Sequence, residues 1–416
     1  MFGKENVMRE FMKPLRRLVL LIMAGIMLLS CLPAAAEEWP DLPLKVGSKG
    51  DTVLAVKQRL YELKYFRTNE FTRKYTQDTA NTIREFQRNN GLPDTGEVDE
   101  LTMTVLMAET TQRKPFPTMP PLAEQTPKPE PDWPARDAEG FLAGEGEYFH
   151  ENDEDGLWIY LSPNLQIIIT AREDRSIPLE WFETEIITRN GETFRTVMTD
   201  PKHPGKKFQY PYVIAREQKF VLAFSDDFYG NRMAKDSEEK PGLIIREGQI
   251  VSEKTNSKTG HHLPNLDMMA QFPDGSLQVF ECNEKSAAEL LEMGAVNVFS
   301  FGPILIRNGE INELVYHYYK SIEPRHALGM IEPNHYFLLS VQGRMEDSKG
   351  TTLQRMAEIM KDHGVTDALN LDGGNTMALI FRGRMLNKLA TFKNKKFVRT
   401  VTSLIGIGTT DRVDTE

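Results

Sequence analysis

The sequence predicts two folded units of different class. One is a small all-α three-helix unit near the N-terminus; the other is a large α+β, or mixed α/β, unit with substantial antiparallel sheet. Three observations predict this. The chain has 416 residues, 40% hydrophobic and 26% charged, which is too long for one ordinary domain and too apolar for a disordered chain. A proline-rich stretch from Thr110 to Pro134 has no apolar periodicity and divides the sequence. Apolar residues recur every three or four positions before that stretch, whereas short runs of β-formers bounded by turn residues dominate after it.

The first 36 residues read as an export signal. Lys13, Arg16 and Arg17 precede an apolar run from Leu18 to Leu32, followed by Ala34-Ala35-Ala36, where cleavage is expected. Two variants stay open: lipidation at Cys31, for which Leu28-Leu29-Ser30 is a poor match because a bulky Leu sits where a small or β-branched residue is usual, and an uncleaved membrane anchor. An extracytoplasmic, cell-wall-associated location is the expectation. The prefix carries five basic and two acidic residues, so its removal takes the net charge from -10 to -13. That balance offers no general grip on nucleic acid. Without Cys31 only Cys282 remains, so an internal disulfide is excluded, and Cys282 reads as a packed thiol.

In the small unit, expected over residues 42–108, Val53, Val56, Leu60 and Leu63 mark a first helix capped by Asp51. Ile83 and Phe86 follow Asp78 and Thr79 on a second helix that stops at Asn90-Gly91. Asp99 starts a third with Leu101, Val105 and Leu106. No histidine or cysteine lies between Glu37 and Tyr148, so a zinc site lacks its usual ligands there and the unit is expected to bind rather than catalyse.

These residues also carry a resemblance. Gly47-Ser48-Lys49-Gly50-Asp51, Val56-Lys57-Gln58, Leu63-Lys64-Tyr65, Phe86-Gln87, Gly91-Leu92-Pro93 and Thr95-Gly96 resemble the three-helix peptidoglycan-binding domain of bacterial wall hydrolases. Two departures are Lys64 in place of a glycine and Asn69 to Gln77 in place of a glycine-rich stretch. The resemblance implies a cell-wall glycan partner; a helical spacer or protein-docking module is the competing reading. The proline-rich segment, placed over residues 109–139, is expected to be a semi-rigid extended spacer.

In the large unit, residues 140–412, strands are expected at Trp158 to Leu161, Leu165 to Thr170, Phe220 to Phe224, Leu243 to Ile245, Val298 to Phe301 and Ile304 to Ile306. Further strands are expected at Phe337 to Val341, Ala368 to Leu371, Met377 to Phe381 and Ser403 to Ile407. Helices are expected at Ser286 to Met293 and Thr352 to His363. Gly242 to Ile250 echoes Gly302 to Ile311, and both place a glycine-containing turn after an apolar strand, as two similar hairpins require.

The strongest chemical signal is Leu371-Asp372-Gly373-Gly374-Asn375-Thr376. A half-buried strand delivers Asp372, two glycines let the backbone turn without a Cβ in the way, and Asn375 and Thr376 offer hydrogen bonds. On this motif alone an ordinary Asp-Gly turn competes evenly. The order Ser300-Phe301-Gly302-Pro303, Pro324-Arg325, Gly329, a helix, Leu371-Asp372-Gly373-Gly374 and Arg399 resembles the phosphodiester glycosidase family across about Val221 to Ile407.

That resemblance implies hydrolysis of a sugar joined through its anomeric oxygen to phosphate. It assigns Arg325 to the phosphate and Asp372 to the sugar or an acid/base role, with Asp226 and Asp227 as candidates for a second carboxylate. Gly302, Gly373, Gly374, Asn375, Thr376, Arg399 and His326 would contact substrate. Where the family usually shows an Asn-Gly-x-Phe type segment this chain has Ser225-Asp226-Asp227-Phe228-Tyr229, which could repel phosphate, hold a cation or supply the second carboxylate. No metal site and no cofactor are expected, with a divalent cation left open. His261-His262 reads as a surface loop, Glu151 to Gly156 as a solvated loop and His363 as a helix end suited to the dipole. The chain has no phosphate-cradling Gly-x-x-x-x-Gly-Lys and no Gly-x-Ser-x-Gly motif. The competing functions are a non-catalytic carbohydrate- or phosphate-binding envelope protein and a peptidoglycan glycosidase.

Overall fold

A computed structural model describes residues 39–66, 71–115, 119–227, 240–254, 266–317 and 320–414. The export signal, Cys31, His261-His262, Phe228 and Tyr229 lie outside the described residues. The chain divides into two compact units, residues 1–114 and 115–416.

In the small unit, helices α1 (Asp51–Glu62), α2 (Gln77–Asn89) and α3 (Glu100–Met107) enclose a core of Val53, Val56, Leu60, Ile83, Phe86 and Leu106. Asp99 caps α3 as expected, its carboxylate accepting from Thr102 N at 2.7 Å. The other two starts differ from expectation by a residue or more. Gly50 is the cap position of α1, and Thr76 with Thr79 forms a reciprocal capping box on α2, since hydroxyls three apart can satisfy each other's backbone amides.

The large unit begins with strands β1 (Tyr148–Asn152), β2 (Leu157–Leu161), β3 (Leu165–Asp174), β4 (Leu179–Thr188) and β5 (Arg195–Met198). Helix α4 (Pro211–Glu217) leads into β6 (Phe220–Phe224), β7 (Gly242–Arg246), β8 (Gln249–Lys254), β9 (Asp267–Gln271) and β10 (Leu277–Phe280). After α5 (Ala287–Glu292) come β11 (Asn297–Phe301), β12 (Ile304–Arg307), β13 (Glu310–Ile311), helix α6 (Leu314–His317), β14 (Arg325–Glu332) and β15 (His335–Val341). Helix α7 (Leu353–Asp362) precedes β16 (Asp367–Leu371), β17 (Leu379–Phe381), β18 (Arg384–Met385), β19 (Thr391–Phe392), β20 (Lys395–Lys396) and β21 (Ser403–Thr409).

A nine-stranded sheet runs β1-β2-β3-β4-β15-β14-β16-β12-β13, and two five-stranded sheets run β10-β9-β11-β7-β8 and β18-β17-β6-β21-β5. The pairing is antiparallel throughout the described strands, so the predicted class holds. Alternation sends Leu328, Leu369 and Leu371 into a core shared with Leu222, Phe224, Ile405 and Ile407 of the β6–β21 sheet. Ala327, Leu339 and Ala368 point the other way, against Met356, Ile359 and Met360 of α7. Both echoed hairpins are present, β7–β8 and β12–β13, and both turn on positive-φ pairs, Glu247-Gly248 and Asn308-Gly309.

Part of the expected spacer is fastened to the large unit. Ala123 N donates to Asp174 Oδ2 at 2.8 Å, Arg355 donates to Pro120 O, and Trp133 packs on Leu157, Ile159 and Leu161. The composition favours an extended backbone without repeating hydrogen bonds, and here carboxylates and sheet edges of the large unit satisfy it.

Candidate active site

Strand pairing decides where Arg325 and Asp372 meet. In the β14–β16 ladder His326 stands opposite Leu371, so the next step of the register brings Arg325 and Asp372 to the same end of the pair. At that point β16 leaves the ladder. Asp372 N donates to Asp226 O at 3.1 Å, and the chain turns over the start of β14, where Gly374 N donates to Pro324 O at 2.9 Å. The fit is tight enough to exclude a side chain: a Cβ on Gly373 would stand 2.5 Å from Pro324 O and 3.1 Å from Arg325 Cα. Gly343 and Gly350 press on the same segment, with would-be Cβ positions 2.9 Å from Pro324 N and 2.4 Å from Glu323 C. Three glycines distant in sequence therefore clear one channel for the Glu323-Pro324-Arg325 backbone.

Three arginines border the turn. Arg325, half-buried, donates to Ser321 O and Ser321 Oγ, both at 2.9 Å. Arg344 donates to Asn375 Oδ1 at 2.6 Å and to Glu323 Oε2 at 2.7 Å. Arg399 reaches Thr376 Oγ1 at 3.3 Å, and its amide donates to Asn375 O at 2.8 Å. Asp372, 7% exposed, opens the turn that these residues border. Arginines around this turn suit an anionic ligand, because guanidinium forks match phosphate geometry.

The other expected site residues have different surroundings. Asp226 and Asp227 are 1% and 0% exposed and closed into an ionic quartet with Lys240 and Arg246. Lys240 Nζ is 3.0 Å from Asp227 Oδ2, Ser403 Oγ donates to Asp226, and Ser300 N donates to Asp227 Oδ1 at 2.8 Å. Both carboxylates are paired with these cations, and the Asp226 carbonyl accepts from the Asp372 amide.

His326 lies in the core side of β14, fully buried, with Nδ1 2.9 Å from Ser340 Oγ and its ring tilted on Phe224 at 5.6 Å. Burial pushes its pKa down to about 3, so it is a neutral packed imidazole. Asn375 spends its side chain on structure, donating to Ala390 O at 2.6 Å and Phe397 O at 3.0 Å. Gly302, at φ +84°, exchanges hydrogen bonds with Asn370 and packs against Asp267, where a Cβ would stand 3.0 Å from the Asp267 Cβ. Glu151 to Gly156 is a turn tied by Asp153 to Arg384 and to the Trp158 indole. Among the described residues no group of three or more potential metal ligands converges.

Comparison with known proteins places this geometry. Residues 218–408 match the phosphodiester glycosidase family, and residues 49–106 match the family of peptidoglycan binding domains. The large unit carries a region that matches the phosphodiester glycosidase family model. The SPbeta prophage-derived uncharacterized protein YomE of Bacillus subtilis (strain 168) is 26% identical over 254 residues, 56% of this chain. The chain spans 37% of the length of that relative. Among solved structures, the zebrafish N-acetylglucosamine-1-phosphodiester alpha-N-acetylglucosaminidase catalytic domain, auto-inhibited by its pro-peptide, is similar with 21% identity and a TM-score of 0.46. The similarity covers 60% of this chain and 85% of that one. A hypothetical protein from Synechocystis is similar at 14% identity and a TM-score of 0.41, over 59% and 62% of the two chains.

Within the matched region, sequence reasoning missed four contributors. Arg344 follows Gly343 at a positive φ of 56° and reaches the turn through Asn375. Lys240, Arg246 and Asp267 gave no local signal, since pairing across sheets has no sequence spacing. Asp267 is 3% exposed; burial, opposed by hydrogen bonds from Ile304 N and Cys282 N, pushes its carboxyl up to about 6.

Proposed function

We propose that the large unit hydrolyses glycosyl phosphodiesters of envelope polysaccharides, and that the small unit holds the exported chain on cell-wall glycan. The observation that carries this is the seating of the Asp372-Gly373-Gly374 turn on Pro324-Arg325, with Arg344 and Arg399 bonded to the next turn residues, Asn375 and Thr376. Arg325, with Arg344 and Arg399, binds the phosphate and stabilises charge on its oxygens. Asp372 serves the anomeric side. Water's oxygen bonds to the anomeric carbon as the bond from that carbon to the phosphate-bound oxygen breaks, releasing free sugar and a phosphomonoester. Tethering raises the effective concentration of the site at the wall.

Incubating wild-type full-length protein and Asp372→Asn with a panel of sugar-1-phosphodiesters tests this. Release of reducing sugar by the wild type and its loss in the variant is expected; equal release by both removes Asp372 from the reaction. A second reading, binding without cleavage, is favoured by one observation: Asp226 and Asp227 are buried and paired with Lys240 and Arg246, which ties up the carboxylates that hydrolysis could use. Sugar phosphate binding with no release across the panel would support it.

A further inference from the structure

The chain has a formal net charge of -10, yet residues 373–410 contain no aspartate or glutamate and seven basic residues: Arg382, Arg384, Lys388, Lys393, Lys395, Lys396 and Arg399. A two-way backbone bridge between Gln209 and Val401 (3.0 and 2.8 Å) joins this stretch to a second basic segment. Residues 201–219 carry Lys202, Lys206, Lys207, Arg216 and Lys219 against Glu217 alone. Some of these charges are spent, as Arg384 is on Asp153 and Lys388 on Glu180. Lys393, Lys395 and Lys396, at the tip of the β19–β20 hairpin, are exposed and have no carboxylate partner among the described residues.

Beside this hairpin lies a groove of about 480 Å³ lined by Tyr210, Tyr212, Arg216, Met385, Leu389 and Lys396, among others. The Tyr210 and Tyr212 rings stack nearly parallel, 5.4 Å apart at 13°, and Tyr210 is 46% exposed. The groove adjoins the turn already described. Asn375 fastens both ends of the hairpin through Ala390 O and Phe397 O, and the Arg344 guanidinium lies 5.6 Å over the Phe392 ring.

We infer that this groove and the lysine-tipped hairpin form an extended subsite for an anionic glycan polymer, a chain of sugars linked through phosphodiesters, leading to the Asp372 turn. The inference rests on the hydrolase reading and names its substrate class. Flat tyrosine faces accept the apolar face of a pyranose ring, and flexible lysine ammoniums suit phosphates recurring along a polymer. A concave groove with an aromatic wall fits a glycan strand better than a planar bilayer.

The test uses the full chain, the triple variant Lys393→Gln/Lys395→Gln/Lys396→Gln, and Tyr210→Ala. The probes are a purified hexose-1-phosphate polymer free of peptidoglycan, uncharged dextran, and vesicles rich in phosphatidylglycerol. Wild type is expected to bind the polymer and not dextran, with affinity falling about tenfold in the triple variant and with added salt. Turnover of a short sugar-1-phosphodiester should be unchanged in all variants, which also reports that they are folded. Equal polymer affinity in wild type and variants, binding to dextran, or preference for the vesicles overturns the subsite. Absence of short-diester turnover in the wild type, with polymer binding still lost in the variants, overturns the hydrolase reading instead.

Discussion

Replacing Gly373 by alanine probes the fit between the turn and β14. The new methyl would stand 2.5 Å from Pro324 O, about 0.9 Å inside the 3.4 Å at which ordinary contact begins. The obstacle is backbone clamped by Gly343 and Gly350, so the turn itself has to move. Overpacking of this kind costs about 1–3 kcal/mol, while the stiffer unfolded chain returns about 0.4–1 kcal/mol. A net loss of about 1–2 kcal/mol is expected in urea unfolding. The effect on the reaction is larger, because a displacement near 1 Å at a reacting carboxyl lowers rates by about 100-fold. Gly364→Ala is the control: its φ is +78° but nothing lies within 4 Å of its Cβ, so it should lose about 1 kcal/mol of stability and keep kcat/KM. Gly373→Ala with wild-type kcat/KM and stability would refute the claim that the turn is seated on Arg325.

Other perturbations test the packing beneath the site. Lys240→Met leaves buried carboxylates short of a cation and should destabilise by about 3–5 kcal/mol in urea titration; a loss under about 1 kcal/mol would contradict the quartet. His326, with its folded pKa near 3, contributes stability that is present above about pH 6.5 and lost as pH falls toward 3. Wild type should thus lose about 4–5 kcal/mol more than His326→Phe across that window, and parallel pH profiles would rule this out. Asp267, with its carboxyl pushed up to about 6, works in the opposite sense. The native state holds the proton more tightly, so its contribution is present below about pH 3.8 and falls by about 3 kcal/mol by pH 6. Comparison with Asp267→Asn at both pH values measures that difference.

Local order was legible in the sequence where the interactions that create it are local. The Glu247-Gly248 and Asn308-Gly309 turns, the Asp99 cap and helix α7 follow from neighbours within a few residues. Strand β4 lacks a clean alternation because glutamates stand on both faces of a central strand, Glu180 with Phe182 and Ile186 and Glu183 and Glu185 with Trp181; Arg172 and His335 answer the latter pair. Strand β14 is absent from the expected strands because Arg325-His326 is a polar start; sheet pairing on both sides overrides that preference. For the site, Asp372 and Arg325 were identifiable from their motifs, and their proximity follows from the β14–β16 register. The enclosure of Asp226, Asp227 and His326 was not, because it depends on which remote strand covers them.

The most direct measurement is a double-mutant cycle on kcat/KM for a sugar-1-phosphodiester, using Arg325→Ala, Asp372→Asn and the pair. If both side chains act on one bound substrate, the two effects are non-additive by about 1 kcal/mol or more. Strictly additive losses would place them at separate sites and contradict the account.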